Sequence, residues 1–81
     1  MADKHELELF IMRGCPYCVK VEHFMAEHGI EIPLRDVTND ADAAQRLVAV
    51  GGKRQTPCLF IDGQALYESD DIIVWLSEHA G

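Results

Sequence analysis

The first part of the chain changes from a strand-like to a helix-like pattern of hydrophobic positions. From Glu6 to Met12 the residues alternate and then become continuously apolar, which is typical of a strand buried on both faces. From Pro16 onward the spacing is helical, and Pro16 suits a first turn because the N–H that proline lacks has no partner there. One side of this predicted helix carries Val21, Phe24, Met25 and His28. Gly29 predicts its C-terminal end.

A second strand and a second helix are predicted next. The strand is expected over Ile30–Val37, where Pro33 indicates an edge position or a bulge. Asn39 or Asp40 is expected to cap a helix that runs from Ala41 to about Val50 and ends at two glycines.

The last part of the chain predicts a hairpin and a third helix. Strands are expected over Pro57–Ile61 and Gln64–Tyr67, joined by the tight-turn pair Asp62-Gly63. Ser69 is expected to cap the final helix, whose first turn carries two aspartates that are favourable against the helix dipole. Its predicted apolar face is formed by Ile72, Ile73, Trp75 and Leu76.

The element order is therefore β-α-β-α-β-β-α, without repeats or linkers. This order predicts an α/β fold with a mixed sheet and helices on both faces. We expect residues 1–81 to form a single domain.

Charge and hydropathy narrow the classes of function. Seven basic against fourteen acidic residues give a net charge of -7, which argues against nucleic acid because phosphate binding depends on clustered Lys and Arg. No apolar run approaches the length of a membrane span, and the N-terminus lacks a signal-peptide pattern. We therefore expect a cytoplasmic protein without a membrane partner. Arg13 and Lys53-Arg54 are local basic spots that suit a small anionic ligand.

The cysteines are the candidate chemical groups. There are three, an odd number that does not suit a secreted disulfide scaffold. Cys15 stands where a strand ends and a helix begins, and Cys18 lies one turn further on. A helix N-terminus stabilises a thiolate, so Cys15 is predicted to be the attacking thiol and Cys18 the resolving thiol.

Three other interpretations of the cysteine pair stay open at this point. Both thiols can be buried core residues, although this leaves Gly14-Cys15-Pro16 at a helix start unexplained. They can be half of a zinc site, but no second Cys-x-x-Cys is present, and His23 and His28 follow on the same helix. They can also ligate an iron–sulfur cluster shared between two chains.

Several segments together resemble the glutaredoxins. Cys15-Pro16-Tyr17-Cys18 is similar to the dithiol active-site motif of that family, and Thr56-Pro57 to its cis-proline loop. The similarity continues through the hairpin to Ser69-Asp70 at the last helix, and so covers almost the whole chain. The resemblance implies a thioredoxin-like fold with a four-stranded mixed sheet.

The same resemblance implies a glutathione site. It implies a cis Thr56-Pro57 bond, whose backbone would pair with glutathione as with an added strand. Ser69 and Asp70 would meet the γ-glutamyl carboxylate and ammonium groups. The remaining implied glutathione-binding residues are Lys53, near the glycine carboxylate, Tyr17, at the ligand edge, and Arg13.

The chain also departs from the glutaredoxin pattern. Met12 stands where the family usually has a lysine, for which Arg13 is a candidate substitute. Tyr67-Glu68 replaces the usual two glycines after the hairpin, and Glu68-Ser69 resembles the glutathione site of glutathione transferases. Cys58 is expected to be buried as a small apolar residue.

The resemblance implies a monomeric oxidoreductase that reduces protein–glutathione mixed disulfides and protein disulfides. Glutathione would be its co-substrate, glutathionylated or disulfide-containing proteins its partners, and no metal is expected. The alternative functions are an iron–sulfur cluster carrier and a glutathione-transferase-like domain.

Overall fold

A mixed four-stranded sheet forms the centre of the computed structural model, which describes residues 6–79. The strand order is β2-β1-β3-β4. The strands are β1 (Leu7–Ile11), β2 (Leu34–Asp36), β3 (Cys58–Ile61) and β4 (Gln64–Tyr67). β1 pairs parallel with β2 and antiparallel with β3, and β3 pairs antiparallel with β4. The predicted mixed sheet is confirmed.

Three helices cover the two faces of this sheet. They are α1 (Pro16–Glu27), α2 (Ala41–Gly51) and α3 (Ser69–His79). α1 and α3 pack on one face around a cluster that includes Leu9, Val21, Leu59, Ile72 and Leu76. α2 packs on the other face around a cluster formed by Phe10, Val37, Ala43, Leu47, Cys58 and Phe60. The predicted α/β architecture, with the order β-α-β-α-β-β-α, is therefore confirmed.

The central strands explain why two cores exist. Leu9 and Phe10 are adjacent in β1 and both fully buried, yet they belong to opposite clusters. Successive side chains of a strand point to opposite faces, so a continuously apolar strand supplies both layers. Within residues 6–79, none of the three helices is long and apolar enough to cross a lipid bilayer.

The second strand is shorter than predicted. It covers Leu34–Asp36 rather than Ile30–Val37. The N–H of Ile30 donates to the carbonyl of Met25 at 2.9 Å. Ile30 is therefore hydrogen-bonded to the end of α1 and does not begin the strand. Pro33 contributes only its carbonyl, which accepts from the N–H of Leu9 at 3.0 Å, because proline has no N–H for a sheet ladder.

The helix starts decide between the predicted caps. Asp40, not Asn39, caps α2, since its carboxylate accepts from the N–H of Ala43 at 3.1 Å. The prediction that Ser69 caps α3 is wrong, because Ser69 is the first helical residue. The preceding Glu68 has a φ of 72° and its carbonyl accepts the N–H of Ile72 at 3.0 Å.

Gly51, the last residue of α2, leaves room for Tyr67 of β4. A Cβ added at Gly51 would overlap the hydroxyl oxygen of Tyr67 and approach Cζ to 2.9 Å. That hydroxyl donates to the carbonyl of Lys53 at 2.8 Å, so it is not free to move aside without losing a bond.

We expect Gly51→Ala to lower the free energy of unfolding by about 1–3 kcal/mol, the usual cost of overpacking. Alanine normally stabilises a helix relative to glycine by about 0.5–1 kcal/mol, so a loss of stability is diagnostic of the overlap. Urea unfolding of Gly51→Ala, of Tyr67→Phe and of the double variant measures the cost of the overlap. Equal costs in both backgrounds would contradict the explanation.

Candidate active site

The Cys15 thiol is placed by the turn that joins β1 to α1. Gly14 has a φ of +76°, which glycine adopts without strain, and the N–H of Cys15 donates to the carbonyl of Met12 at 3.3 Å. Cys15 is the N-cap of α1, with extended backbone, and Pro16 begins the helix. The Sγ atom of Cys15 accepts from the N–H of Cys18 at 3.3 Å. The thiol therefore satisfies an N–H that would otherwise lack a partner.

The loop before β3 brings a second segment to this thiol. The Thr56-Pro57 peptide bond is cis, as the resemblance implies. The Sγ atom of Cys15 lies 3.8 Å from the carbonyl oxygen of Thr56, and the Thr56 hydroxyl donates to Sγ at 3.7 Å. Residues 41 positions apart in the chain thus meet at the Cys15 sulfur.

The two thiols differ in acidity. Burial opposes ionisation of Cys15, but hydrogen bonds from Cys18 and from Thr56 stabilise its thiolate and bring its pKa below the ordinary value. Burial, reinforced by the neighbouring Cys15, raises the pKa of Cys18 to about 11. Cys15 therefore ionises first, while Cys18, which is only 1% exposed, stays protonated at neutral pH.

Thr56→Val is expected to raise the pKa of Cys15, because valine keeps the shape of the side chain but removes the hydroxyl that donates to the thiolate. The midpoint of the alkylation rate of Cys15 against pH should move to higher pH, since only the thiolate reacts. Thr56→Ser retains the hydroxyl and is the matched control. An unchanged midpoint in Thr56→Val would show that the hydroxyl does not stabilise the thiolate.

A cleft of about 220 Å³ extends from this loop to the start of α3. It brings together five of the predicted glutathione-binding residues and two residues that were not predicted as site residues. The lining residues are Tyr17, Gln55, Thr56, Pro57, Glu68, Ser69 and Asp70. Because Thr56 also contacts Cys15, the cleft opens beside the Cys15 sulfur.

The two additional lining residues gave different signals in the sequence. Glu68 belongs to the transferase-like Glu68-Ser69 pair, whereas Gln55 is marked only by its place before Thr56. Tyr17 is 62% exposed, so its ring is available at the edge of the cleft. Ser69 is buried in the cleft wall at 7% exposure.

Lys53 and Arg13 do not line this cleft. The ammonium of Lys53 lies over the ring of Tyr67, 4.8 Å from its centroid. The backbone N–H of Arg13 donates to the hydroxyl of Thr38 at 3.1 Å. Hydrogen bonding from Thr38, together with the charge of Arg13, lowers the pKa of Asp36, which places the Arg13 charge near the end of β2.

The side chain of Tyr67 turns toward the end of α2, where it packs against Gly51 and Lys53. Cys58 is fully buried, as expected, and burial raises its pKa to about 11. Within residues 6–79, no three His, Cys, Asp or Glu side chains are grouped so that they could hold a metal ion.

Comparison with known proteins identifies the family of this site. The glutaredoxin family model matches residues 7–66. A protein described as a probable glutaredoxin of Synechocystis sp. is 30% identical over 73 residues, which cover 89% of this chain and 83% of the relative.

Solved structures give the same fold. The crystal structure of the thioredoxin-like protein BC3987 superposes with a TM-score of 0.76 at 29% identity, covering 89% of this chain and 96% of that chain. Glutathione transferase Omega 3C from Trametes versicolor superposes with a TM-score of 0.78 at 24% identity, covering 94% of this chain but 34% of that chain. The second likeness concerns the fold alone. The family match agrees with the segment Cys15-Pro16-Tyr17-Cys18 at the start of α1, and the chain belongs to the glutaredoxin family of thiol–disulfide oxidoreductases.

Proposed function

We propose that this protein is a glutathione-dependent oxidoreductase that reduces protein–glutathione mixed disulfides through Cys15 and protein disulfides through Cys15 and Cys18. The observation that carries the proposal is the cleft beside Cys15, whose walls combine the Thr56-Pro57 loop with the start of α3. These walls offer one group for each part of a γ-glutamyl-cysteinyl peptide.

The cysteinyl part of glutathione would lie along Thr56, which can pair with an extended peptide as with an added strand. The γ-glutamyl carboxylate would meet the N–H groups at the start of α3, where a helix N-terminus favours anions. Asp70 would attract the ammonium group, and Tyr17 would cover the ligand edge. Lys53 would contact the glycine carboxylate only after its ammonium leaves the Tyr67 ring.

The proposed reaction is a pair of thiol–disulfide exchanges. The Cys15 thiolate attacks the glutathione sulfur of a mixed disulfide, a Cys15–glutathione disulfide forms, and the partner protein leaves as its thiolate. A second glutathione thiolate attacks the bound glutathione sulfur. Glutathione disulfide leaves, and the Cys15 thiolate is regenerated.

Protein disulfides would require both cysteines. Cys15 forms a mixed disulfide with one sulfur of the substrate, and Cys18 then loses its proton and attacks Cys15 to release the reduced substrate. The N–H of Cys18 already contacts the Sγ of Cys15 at 3.3 Å, so the first turn of α1 holds the pair close together. Two glutathione molecules would reduce the resulting Cys15–Cys18 disulfide.

Turnover of a glutathionylated peptide with glutathione as the only reductant tests the proposal. We expect release of the peptide thiol and stoichiometric formation of glutathione disulfide, followed with glutathione reductase and NADPH. Reduction by dithiothreitol but not by glutathione would keep the oxidoreductase activity and refute the glutathione dependence.

The alternative functions have weaker support. The transferase likeness covers only 34% of that chain, although the Glu68-Ser69 pair at the cleft also resembles the transferases. The iron–sulfur alternative is tested by the visible spectrum of anaerobically purified protein, in which a stoichiometric chromophore would favour the carrier.

A further inference from the structure

An ion pair joins the two helices at the rim of the cleft. The ammonium of Lys20, on α1, contacts the Oδ1 atom of Asp70, in the first turn of α3. Both side chains remain largely accessible, with exposed fractions of 50% for Lys20 and 81% for Asp70. Because exposed ion pairs contribute little to stability, the place of this pair beside the cleft is more informative than its effect on folding.

Without Lys20, the charges of the cleft would oppose an anionic ligand. Glu68 and Asp70 both line the cleft, and each carries a carboxylate. Glutathione itself carries two carboxylates and one ammonium group at neutral pH, and is therefore an anion. The partial positive charge at a helix N-terminus, about half a unit, does not balance two carboxylates.

Lys53 and Arg54, the basic residues that precede Gln55 in the sequence, are engaged elsewhere. Lys53 lies over the Tyr67 ring, and the guanidinium of Arg54 donates to the carbonyl of Val37 at 3.3 Å. In the part of the chain that the structure describes, Lys20 is the basic residue whose side chain forms an ion pair with a residue lining the cleft. The ion pair uses Oδ1 of Asp70, so Oδ2 is left for the ammonium of a ligand.

We propose that Lys20 is a specificity-determining residue, which offsets the acidic rim of the cleft and selects substrates whose mixed disulfide carries the anionic glutathionyl group. This inference rests on the proposed function and adds a residue to it. A ligand ammonium at Oδ2 of Asp70 would place its neighbouring carboxylate where Lys20 supplies positive charge. The Asp70 carboxylate, the ligand ammonium, the ligand carboxylate and the Lys20 ammonium then alternate in sign around the rim.

Two mixed disulfides of one neutral peptide, one with glutathione and one with cysteamine, which is cationic, provide the test. For Lys20→Gln we expect KM for the glutathionylated peptide to rise by about three- to tenfold, with kcat changed by less than about twofold. KM for the cysteamine disulfide should stay equal or fall. The effect should shrink at high salt, because the charges are accessible to solvent.

Two further variants make the test specific. Lys20→Arg keeps the charge and should restore the preference for glutathione. Gln45→Glu changes the net charge by the same amount as Lys20→Gln. Gln45 is an exposed residue of α2, which lies across the sheet from α1 and α3, so this variant should leave KM unchanged.

The possible failures are distinguishable. If the wild-type protein does not turn over the glutathionylated peptide with glutathione, the proposed function itself is wrong. If the wild-type protein is active but Lys20→Gln keeps the wild-type KM and selectivity, or loses kcat alone, the role of Lys20 is overturned. A loss of selectivity in Lys20→Arg equal to that in Lys20→Gln would overturn it as well.

Discussion

Cys15→Ser is expected to abolish the reduction of both glutathionylated peptides and protein disulfides, with a loss of at least about a thousandfold in rate. Serine cannot form the mixed disulfide, and its hydroxyl is not ionised at neutral pH. In the variant, the hydrogen bonds from Cys18 and Thr56 would have no thiolate to stabilise. The loss is measured as the rate of glutathione disulfide formation per enzyme, in the assay coupled to glutathione reductase and NADPH.

The control for this prediction is the third cysteine. Cys58 is fully buried beside Tyr67, so its thiol is not accessible to a substrate. Cys58→Ala also removes one thiol and should keep the activity once folding is verified by thermal unfolding. Substantial activity in Cys15→Ser would show that another group is the nucleophile.

Cys18→Ser is expected to separate the two proposed reactions. Protein-disulfide reduction should fall by at least about a hundredfold, because the proposed resolving thiol is missing. Reduction of the glutathionylated peptide should continue, since in the proposed reaction a second glutathione releases the Cys15 adduct. The buried position of Cys18 and its pKa of about 11 support this division, because a thiol protonated at neutral pH does not compete for the first attack.

Both activities are measured on one preparation of the Cys18→Ser variant. Equal losses of the two activities would contradict the division of roles. A common loss caused by unfolding would be visible in the urea unfolding curve of the variant.

Local patterns in the sequence account for most of the fold. Leu9 and Phe10 lie in an uninterrupted apolar run, which predicts a strand covered on both faces, and this strand is central in the sheet. The late start of β2 was not predictable in detail, because it depends on a hydrogen bond from the N–H of Ile30 to the carbonyl of Met25 at the end of α1. Likewise, Glu68 rather than Ser69 precedes α3, and its φ of 72° follows from how β4 joins the helix.

Part of the candidate site was likewise predictable from local sequence, and part depends on long-range contacts. Cys15 and Cys18 are three positions apart, so their relation could be derived from helix geometry alone. The contact between Lys20 and Asp70 joins residues 50 positions apart and has no local signal. Similarly, nothing in the sequence around Lys53 indicates that its ammonium packs on Tyr67, because that contact depends on how α2 meets β4.

The most direct measurement of the central proposal is the identity of the adduct on Cys15. The Cys18→Ser variant is mixed with a glutathionylated peptide, without free glutathione, and analysed by mass spectrometry under non-reducing conditions. We predict one glutathionyl group on Cys15 and an equal amount of released peptide thiol, because the cleft beside Cys15 would hold the glutathione part of the substrate. Peptide attached to Cys15 with glutathione released, or the absence of any adduct at Cys15, would contradict it.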